Sequence, residues 1–289
     1  MKTMLTSSHY TDLNEFLSKH YAKNINNTLE NVKPHTHTRI KGEKNPGGSF
    51  IIEKDELPTF RRLYYEHVFV KGRKEYLTEK QLDANGPILV DFDFRYENSV
   101  AKRLHTLEHI QDMIELYLEE LKAFFIFTEN DSFPIFILEK EHVNRATDKN
   151  VTKDGIHMII GIQMERVLQI MLRERIVNKI GDIWDLPIIN TWDGVIDEGI
   201  SKGTVNWQMY GSQKPGYEAY KVTYYLTAQA DLDSNSWITK AKSLKELDLL
   251  NDLPLLSAQY DNHIKLELNP NIKDEYNKKL EEEKKSKRP

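Results

Sequence analysis

Residues 88–94, with the sequence ILVDFDF, place two carboxylates inside an otherwise apolar and aromatic stretch. Such a stretch is typical of a β-strand, whose side chains alternate between the two faces of a sheet. One face then carries apolar residues, and the other carries Asp91 and Asp93, about 6–7 Å apart along the strand. Two unpaired charges inside an apolar strand are costly, which favours a functional metal site over an incidental pair of acids. We expect the apolar residues to point towards helices and the two acids to point to an open face of the sheet.

The segments that follow predict the element order βαββαβ. A helical stripe of apolar residues comes after the first strand, two short strands come next, and a second helix precedes a short final strand. The six segments are residues 88–94, 103–127, 133–140, 156–161, 163–180 and 194–197. This order is that of the split βαβ unit of ferredoxin-like and RNA-recognition folds. We therefore predict an α/β fold of the α+β type, in which this unit packs against an N-terminal α/β unit.

The N-terminal and C-terminal parts of the chain have simpler patterns. Residues 11–20 and 56–66 predict helices, with Thr11 as the N-cap of the first. Residues 33–50 contain glycines and prolines that predict a loop. The residues from 273 on are nearly all charged, which indicates a solvated helix end or a linker to a further region.

The strand order of a split βαβ unit brings distant residues together. Its first and third strands are central, and the fourth lies beside the first. Asp197, in the predicted fourth strand, can then face the same side as Asp91 and Asp93. His157, in the predicted third strand, can share that open face. Three carboxylates and one imidazole would thus lie on one surface.

Such a group of acids predicts a metal site. Close carboxylates repel one another and raise their own pKa values, and a divalent cation removes that penalty. Carboxylate ligands favour Mg²⁺ or Mn²⁺. The chain has no cysteine, so a Cys-based zinc site is excluded and no zinc is expected. Two cations about 3.5–4 Å apart would suit in-line phosphoryl transfer from a nucleoside triphosphate.

Each of these residues also has an ordinary structural interpretation. An isolated Asp-x-Asp pair is common, Asp197 alone could be a turn residue, and most histidines are satisfied in the fold or lie at the surface. The argument for a site therefore depends on the joint placement of Asp91, Asp93, Asp197 and His157 rather than on any one of them.

Charge and hydropathy limit the class of protein. The 289 residues carry a net charge of −5, which argues against binding nucleic acid over the whole surface but allows a local basic groove. No apolar run has the length of a membrane span, and the first residues lack the apolar core of a signal peptide. We therefore expect a cytoplasmic protein without a membrane partner.

Four short motifs in order resemble the archaeo-eukaryotic primase superfamily, in particular the primase domains of nucleocytoplasmic large DNA virus primase-helicases. The motifs are LVDFD with Asp91 and Asp93, KDGIHMII with residues 155–157, VID ending at Asp197, and QMYGSQKPG at residues 208–216. The resemblance covers roughly residues 35–230. The order and spacing of the motifs carry it.

The resemblance implies a role for each matching residue. Asp91, Asp93 and Asp197 would bind the catalytic metals, and His157 would contact the phosphates of the incoming nucleotide. The other residues implied around this triphosphate are Gly155 (through its amide), Lys153, Ser212 and Lys214. Gln208 departs from the family pattern, which has arginine or lysine before the methionine, so one charged contact is in doubt.

The resemblance also implies a DNA primase-polymerase of viral DNA replication. Such an enzyme joins ribonucleoside or deoxyribonucleoside triphosphates (NTPs or dNTPs) on a single-stranded DNA template. Its place of action, in a viral protein, would be the host cytoplasm. Arg39, Lys41 and Lys44 could line the template groove, or they could belong to an ordinary solvated loop.

The domain organisation follows from the same resemblance. The catalytic domain would cover residues 1–270, and its parts would be an N-terminal α/β unit to about residue 85, the catalytic half at 86–230 and a helical part at 231–270. Residues 271–289 would lead to a helicase region of a longer chain.

Two other functions fit the same fold. A metal-dependent nuclease could use the same acids and would need no triphosphate site. A non-catalytic module of the RNA-recognition type would instead stack bases on aromatic side chains of its two middle strands.

Overall fold

The computed structural model describes residues 10–26, 33–42, 45–146 and 150–286, and Lys44 lies outside this range. In this part of the chain the helices are α1 Leu13–Lys19, α2 Ala22–Asn26, α3 Leu57–Tyr65, α4 Leu107–Phe124, α5 Arg166–Ile183, α6 Trp192–Val195, α7 Glu198–Lys202, α8 Leu249–Asp252 and α9 Lys273–Ser286. The strands are β1 His37–Arg39, β2 Gly48–Phe50, β3 Leu77–Glu79, β4 Asn85–Glu97, β5 Phe125–Ile126, β6 Ser132–Glu139, β7 Asn144–Ala146, β8 Val151–Glu165, β9 Trp207–Gln208, β10 Lys221–Asp231, β11 Ser236–Lys242, β12 Ile264–Lys265 and β13 Glu267–Leu268. This mixture of helices and mainly antiparallel strands confirms the α+β class.

The main sheet is built around β8. β4 pairs antiparallel with β8 from Asn85 opposite Glu165 to Glu97 opposite Val151. β6 pairs with the other edge of β8, and the β10–β11 hairpin extends the sheet beyond β6. The strands β7 and β12 pair with the two ends of β8. The spatial order β11-β10-β6-β8-β4 contains the order expected of a split βαβ unit, in which β4 and β8 are neighbours.

Helices α4 and α5 cover one face of this sheet. Phe92, Phe94 and Tyr96 of β4 are fully buried in the core that these helices form. Burial of each such side chain stabilises the fold by about 1.5–3 kcal/mol. A capping box at Thr106 starts α4, because the Thr106 side chain accepts from the His109 N–H and the Thr106 N–H donates to the His109 side chain. The alternation of β4 therefore buries its apolar residues and leaves its acids on the opposite face.

The predicted fourth strand is replaced by two short helices and a single bridge. Thr191 caps α6 by accepting from the Gly194 N–H, and Asp197 caps α7. Between these helices, Ile196 forms an isolated antiparallel bridge with Phe92. The prediction of a strand at residues 194–197 is therefore wrong in form, because side-chain caps favour helical turns here. The segment still lies along the free edge of β4.

The N-terminal part forms a second, four-stranded sheet with the order β2-β1-β3-β9. Helices α1 and α3 pack on it through a separate core that includes Phe16, Phe50 and Phe60. The predicted loop at 33–50 thus contains β1 and β2. Strand β9 comes from within the part predicted as the catalytic half (86–230), so this unit is completed by residues distant in sequence.

The C-terminal part is less helical than predicted for residues 231–270. Residues 236–242 form β11, and helical structure there is limited to α8 and short 3₁₀ turns. The charged segment after residue 272 forms α9, which lies on α5, where Tyr276 donates to Glu165 over 2.6 Å. No helix in the described ranges is long and apolar enough to cross a membrane.

Candidate active site

The face of β4 and β8 away from α4 and α5 forms the floor of a cavity of about 490 Å³. In the β4–β8 ladder Asp91 lies opposite His157, and Asp93 lies opposite Gly155. The charged side chains that line the cavity are Asp91, Asp93, Asp154, Asp197, Lys140, Lys153 and Lys214. A cavity of this volume is in the range of small-molecule sites. The fold therefore gathers acids, lysines and one imidazole around a space that can take a nucleotide.

Asp91 is held between opposing electrostatic effects. Its Oδ1 lies 3.4 Å from Nε2 of His157. Burial raises the pKa of Asp91, but the His157 imidazole and two nearby lysines lower it more, so its pKa lies below the usual range. Asp91 is therefore a carboxylate over the ordinary pH range, as a ligand for a cation requires.

Asp93 lies two residues further along β4 and is more exposed. Its Oδ2 is 3.4 Å from Nη2 of Arg95 and 3.9 Å from Nζ of Lys153. These are loose contacts, because strong charged hydrogen bonds are shorter than 3 Å. The carboxylate of Asp93 can therefore change partners at little cost.

Asp197 lines the same cavity and is not turned into the apolar core. Its Oδ1 accepts hydrogen bonds from the Gly199 N–H at 2.7 Å and the Ile200 N–H at 3.2 Å, which caps α7. Its own N–H donates to the carbonyl oxygen of Asp91 over 3.0 Å, so the two backbones are adjacent. The capping bonds occupy one of the two carboxylate oxygens.

The three acids have the donor chemistry of a Mg²⁺ or Mn²⁺ site, because all their ligand atoms are carboxylate oxygens. They are not assembled around one point, since no group of three His, Cys, Asp or Glu side chains within the described residues is close enough to hold a metal ion. The three acids therefore fit a divalent cation in ligand type and in lying near one another, but not yet in their exact arrangement. The carboxylate of Asp197 would have to be shared between the cap of α7 and an ion.

His157 is fixed by aromatic rings on its two sides. It is buried, with its ring stacked on Tyr220 at 3.6 Å between centroids and in tilted contact with Trp207 at 4.4 Å. Burial raises the pKa of Tyr220, as do the surrounding aspartates, so the Tyr220 hydroxyl stays protonated. The imidazole can therefore present its edge to the cavity in one orientation only.

Gly155 is required for close packing rather than as a free amide. Its N–H donates to Oδ1 of Asp154 over 2.9 Å, so this donor is already used within the protein. A Cβ at this position would lie 2.6 Å from the carbonyl oxygen of Phe92 and 2.8 Å from the hydroxyl oxygen of Tyr220. The structure thus gives Gly155 a packing role, and the implied contact of its amide with a phosphate stays a prediction.

The two predicted phosphate-binding residues after β9 differ in position. Ser212 is buried, accepts from the Leu77 N–H over 3.1 Å and lies 2.8 Å from the Tyr64 hydroxyl. It joins its loop to the N-terminal sheet and does not line the cavity. Lys214 lines the cavity, as does Gln208, whose side chain donates to the carbonyl oxygen of Ser212. Ser212 is therefore engaged within the protein in this structure, and its phosphate contact stays a prediction, whereas Lys214 faces the cavity.

The residues predicted for template binding are also dispersed. Arg39 is buried, and its Nη2 donates to Glu75 over 2.6 Å and to Asn14 over 3.1 Å. It is a structural residue of the N-terminal unit and is not available to a template. Lys41 is exposed and follows Ile40, which lines the cavity. For Lys44 the prediction falls outside the described residues.

Several residues of the cavity were not anticipated from the sequence. Lys140, His142, Asn144, Tyr217 and Tyr220 line its wall. Lys140 ends the predicted strand 133–140, and the two tyrosines follow the QMYGSQKPG motif closely, which was the available signal. Nothing in the sequence shows that both segments reach the floor formed by β4 and β8.

Comparison with known proteins identifies the family of the chain. The family model described as "C962R protein N-terminal AEP domain" matches residues 36–226, about two thirds of the chain. The chain is 30% identical over 226 residues to a protein of Acanthamoeba polyphaga mimivirus named as a putative helicase. That alignment covers 72% of this chain and 23% of the mimivirus protein, so the chain spans about a quarter of its relative's length. The chain therefore belongs to the archaeo-eukaryotic primase (AEP) family, in the group described by the C962R N-terminal domain model.

Proposed function

We propose that the chain is the primase-polymerase domain of a viral replication protein, which joins NTPs or dNTPs on a single-stranded DNA template. The observation that supports it best is that Asp91 and Asp93 line the same cavity as a row of cationic side chains. The acids suit a metal-bound triphosphate, and the lysines suit its phosphates. A cavity lined only by acids would not suit the phosphates, and a cavity lined only by lysines would not suit the metal ions.

Asp91, Asp93 and Asp197 are the residues that would hold Mg²⁺ or Mn²⁺. A bound divalent ion would supply Lewis acidity for the attack of a primer 3′-hydroxyl on the α-phosphate and for release of pyrophosphate. His157, Lys153 and Lys214 would bind and orient the phosphates. The contacts of the buried His157 ring with Tyr220 and Trp207 mean that little rotamer freedom is lost when a nucleotide binds.

The partners follow from the family and from the relative. Single-stranded DNA would be the template, and a helicase region in a longer chain would be the natural neighbour, given the name of the mimivirus relative. α9 would then lead toward that region. The overall charge of −5 means that template affinity depends on a local groove beside the cavity.

The decisive test is synthesis on a single-stranded DNA template with labelled NTPs or dNTPs, with Mg²⁺ or Mn²⁺, with and without a primer. We expect extension products from the parental protein and a loss of at least about 1,000-fold in Asp91→Ala/Asp93→Ala, because both proposed metal ligands on β4 are removed. Lys221→Gln is the control, since Lys221 is exposed and bonds Glu141 outside the cavity.

The outcomes separate the candidate functions. Products longer than the primer, or primers made without one, support the proposal. Shortened DNA alone would indicate a metal-dependent nuclease. Binding of nucleic acid that is indifferent to Mg²⁺ and Mn²⁺, without any synthesis, would indicate a non-catalytic module. Parental rates in Asp91→Ala/Asp93→Ala, with the fold intact by circular dichroism, would refute the site.

A further inference from the structure

Lys140 is a cation of the cavity that no part of the proposed mechanism uses. It follows directly after β6, and its Nζ lies 4.7 Å from the ring centroid of Tyr220 and 5.8 Å from that of Tyr217. These distances are those of cation–π contacts, which hold an ammonium group in place but do not neutralise it. Lys140 is therefore positioned at the cavity wall with its charge intact.

Three of the four aspartates that line the cavity have a basic partner, whereas Asp197, within the described residues, accepts only backbone N–H bonds. Asp91 contacts His157, Asp93 contacts Lys153, and Asp154 binds Arg103 through both of its oxygens. Neither Lys140 nor Lys214 forms an ion pair with a carboxylate in the part of the chain that the structure describes. The cavity thus contains two lysines that interact with the charge of nearby aspartates but, among the described residues, form no direct ion pair with them.

These two lysines also interact unfavourably with each other. Burial lowers the pKa of Lys140, and the charge of Lys214 lowers it further. Partly desolvated like charges repel, and an anion between them would remove both the repulsion and the desolvation penalty. A polyphosphate offers several oxygens and a charge large enough to contact both lysines.

A network behind the cavity wall fixes the backbone of Lys140. Nη2 of Arg103 donates to the carbonyl oxygen of Lys140 over 2.7 Å, and the same guanidinium binds Asp154, which accepts from the Gly155 N–H. Glu139, the last residue of β6, lies 3.2 Å from Nη1 of Arg103. One guanidinium therefore joins the segment that carries Lys140 to the strand that faces the two acids.

A second pair of contacts holds the same corner. The side chain of Glu139 receives hydrogen bonds from the His105 ring at 2.7 Å and the Thr223 hydroxyl at 2.6 Å. Hydrogen bonds to a buried carboxylate restrict its movement, and here they hold Glu139, although Nδ1 of His105 has no hydrogen-bond partner in the described ranges. The position of Lys140 is thus set before any ligand binds.

We propose that Lys140 binds the polyphosphate of the nucleotide together with Lys214, and that Arg103 is the positioning residue that sets Lys140. This inference rests on the proposed function, because it assigns a further residue to the same nucleotide site. The class of ligand is a polyphosphate: a nucleoside triphosphate, or inorganic tripolyphosphate as its simplest analogue.

The test measures binding separately from synthesis. Fluorescently labelled dATP and inorganic tripolyphosphate are titrated with Mg²⁺ into the 289-residue protein and its variants. Lys140→Gln should weaken both ligands by about tenfold to 100-fold, the loss expected for a charged hydrogen bond. Lys221→Gln is the control, because Lys221 lies on the neighbouring strand β10 and its Nζ donates to Glu141. Its affinity for both ligands should stay within about twofold of the parental value. Lys140→Arg should recover most of the affinity, since it retains the charge.

Arg103 needs a readout that a merely structural role would not move. Arg103→Lys should weaken polyphosphate binding in the parental background and should have much less effect in Lys140→Gln, because the two residues act through one contact. Full additivity in this double-mutant cycle would show that Arg103 does not act through Lys140. Thermal unfolding of each variant confirms that the binding measurements are made on folded protein.

The results distinguish this inference from the proposed function. Parental affinity in Lys140→Gln overturns the inference, whether or not the protein makes primers. Loss of affinity in Lys140→Gln supports it, even if the parental protein binds polyphosphate without making primers, in which case only the polymerase assignment falls. Failure of the parental protein to bind either polyphosphate overturns both.

Discussion

Gly155→Ala tests whether the dense packing under the cavity controls nucleotide binding. Gly155 lies opposite Asp93 in the β4–β8 ladder. The added methyl group would lie 2.6 Å from the Phe92 carbonyl oxygen and 2.8 Å from the Tyr220 hydroxyl, whereas real Cβ atoms essentially never have contacts under 3.0 Å. The first clash is with strand backbone, which cannot move without disturbing the ladder. The second displaces Tyr220, whose ring stacks on His157.

The magnitude follows from these contacts. Overpacking of a well-packed region costs about 1–3 kcal/mol, and a clash with backbone puts Gly155→Ala near the upper end. A loss of about 2–3 kcal/mol lowers the melting temperature by roughly 4–10 °C in a protein of this size. If Tyr220 moves, His157 loses its fixed orientation, and the KM for the nucleotide should rise several-fold with a smaller change in kcat.

Thermal unfolding and steady-state primer synthesis check the two parts of this prediction. Gly86→Ala is the matched control on the paired strand β4, because its Cβ would have its nearest neighbour at 3.6 Å, an ordinary contact. Equal melting temperatures for Gly155→Ala and Gly86→Ala would refute the packing argument. A large fall in melting temperature with an unchanged KM would instead show that the Tyr220–His157 stack does not affect the nucleotide.

Three further predictions follow from buried or capping residues. Arg39→Ala should lower the free energy of unfolding by about 3–5 kcal/mol, because it leaves Glu75 buried without its partner. It should not change the affinity for single-stranded DNA, and a large loss of that affinity in folded protein would contradict this prediction. Burial raises the pKa of Glu79 to about 7, so its contribution to stability is full below about pH 4.5 and is lost as pH rises through 7. Denaturation at pH 5 and pH 8 should show Glu79→Gln removing about 2 kcal/mol of that pH dependence, and an unchanged slope would refute the assignment. Asp197→Asn should preserve the α7 cap and the melting temperature, because asparagine is also a good N-cap. The same change should weaken Mn²⁺ binding, measured by calorimetry, at least about tenfold, and parental Mn²⁺ affinity would remove Asp197 from the metal site.

Local sequence patterns were sufficient where the structure depends on local periodicity. The alternation in residues 88–94 predicts which side chains of β4 face the helices, and the structure buries Phe92 and Phe94 accordingly. The same period places Asp91 and Asp93 together on the other face, whatever the rest of the chain does. The lack of cysteine likewise excluded a Cys-based zinc site without any structure.

The predicted fourth strand shows how local signals can compete. The VID segment has the apolar character of a strand, but Thr191 and Asp197 also have the character of helix caps, and the caps determine the local structure. The segment nevertheless lies beside β4, because Ile196 bridges Phe92 and belongs to the same apolar core. The neighbourhood of Asp197 was therefore predictable, whereas the direction of its carboxylate was not.

The amino-acid sequence by itself determined the acids of β4, their shared face, the α+β class and the resemblance to primases. Only the tertiary structure decided which distant side chains reach them. Ser212 and Arg39 are engaged in contacts of the N-terminal unit and are buried there. Lys140, in contrast, reaches the cavity because β6 pairs with β8. The physical reason is that exposure and pairing of a polar side chain depend on neighbours from distant segments, which no local pattern specifies.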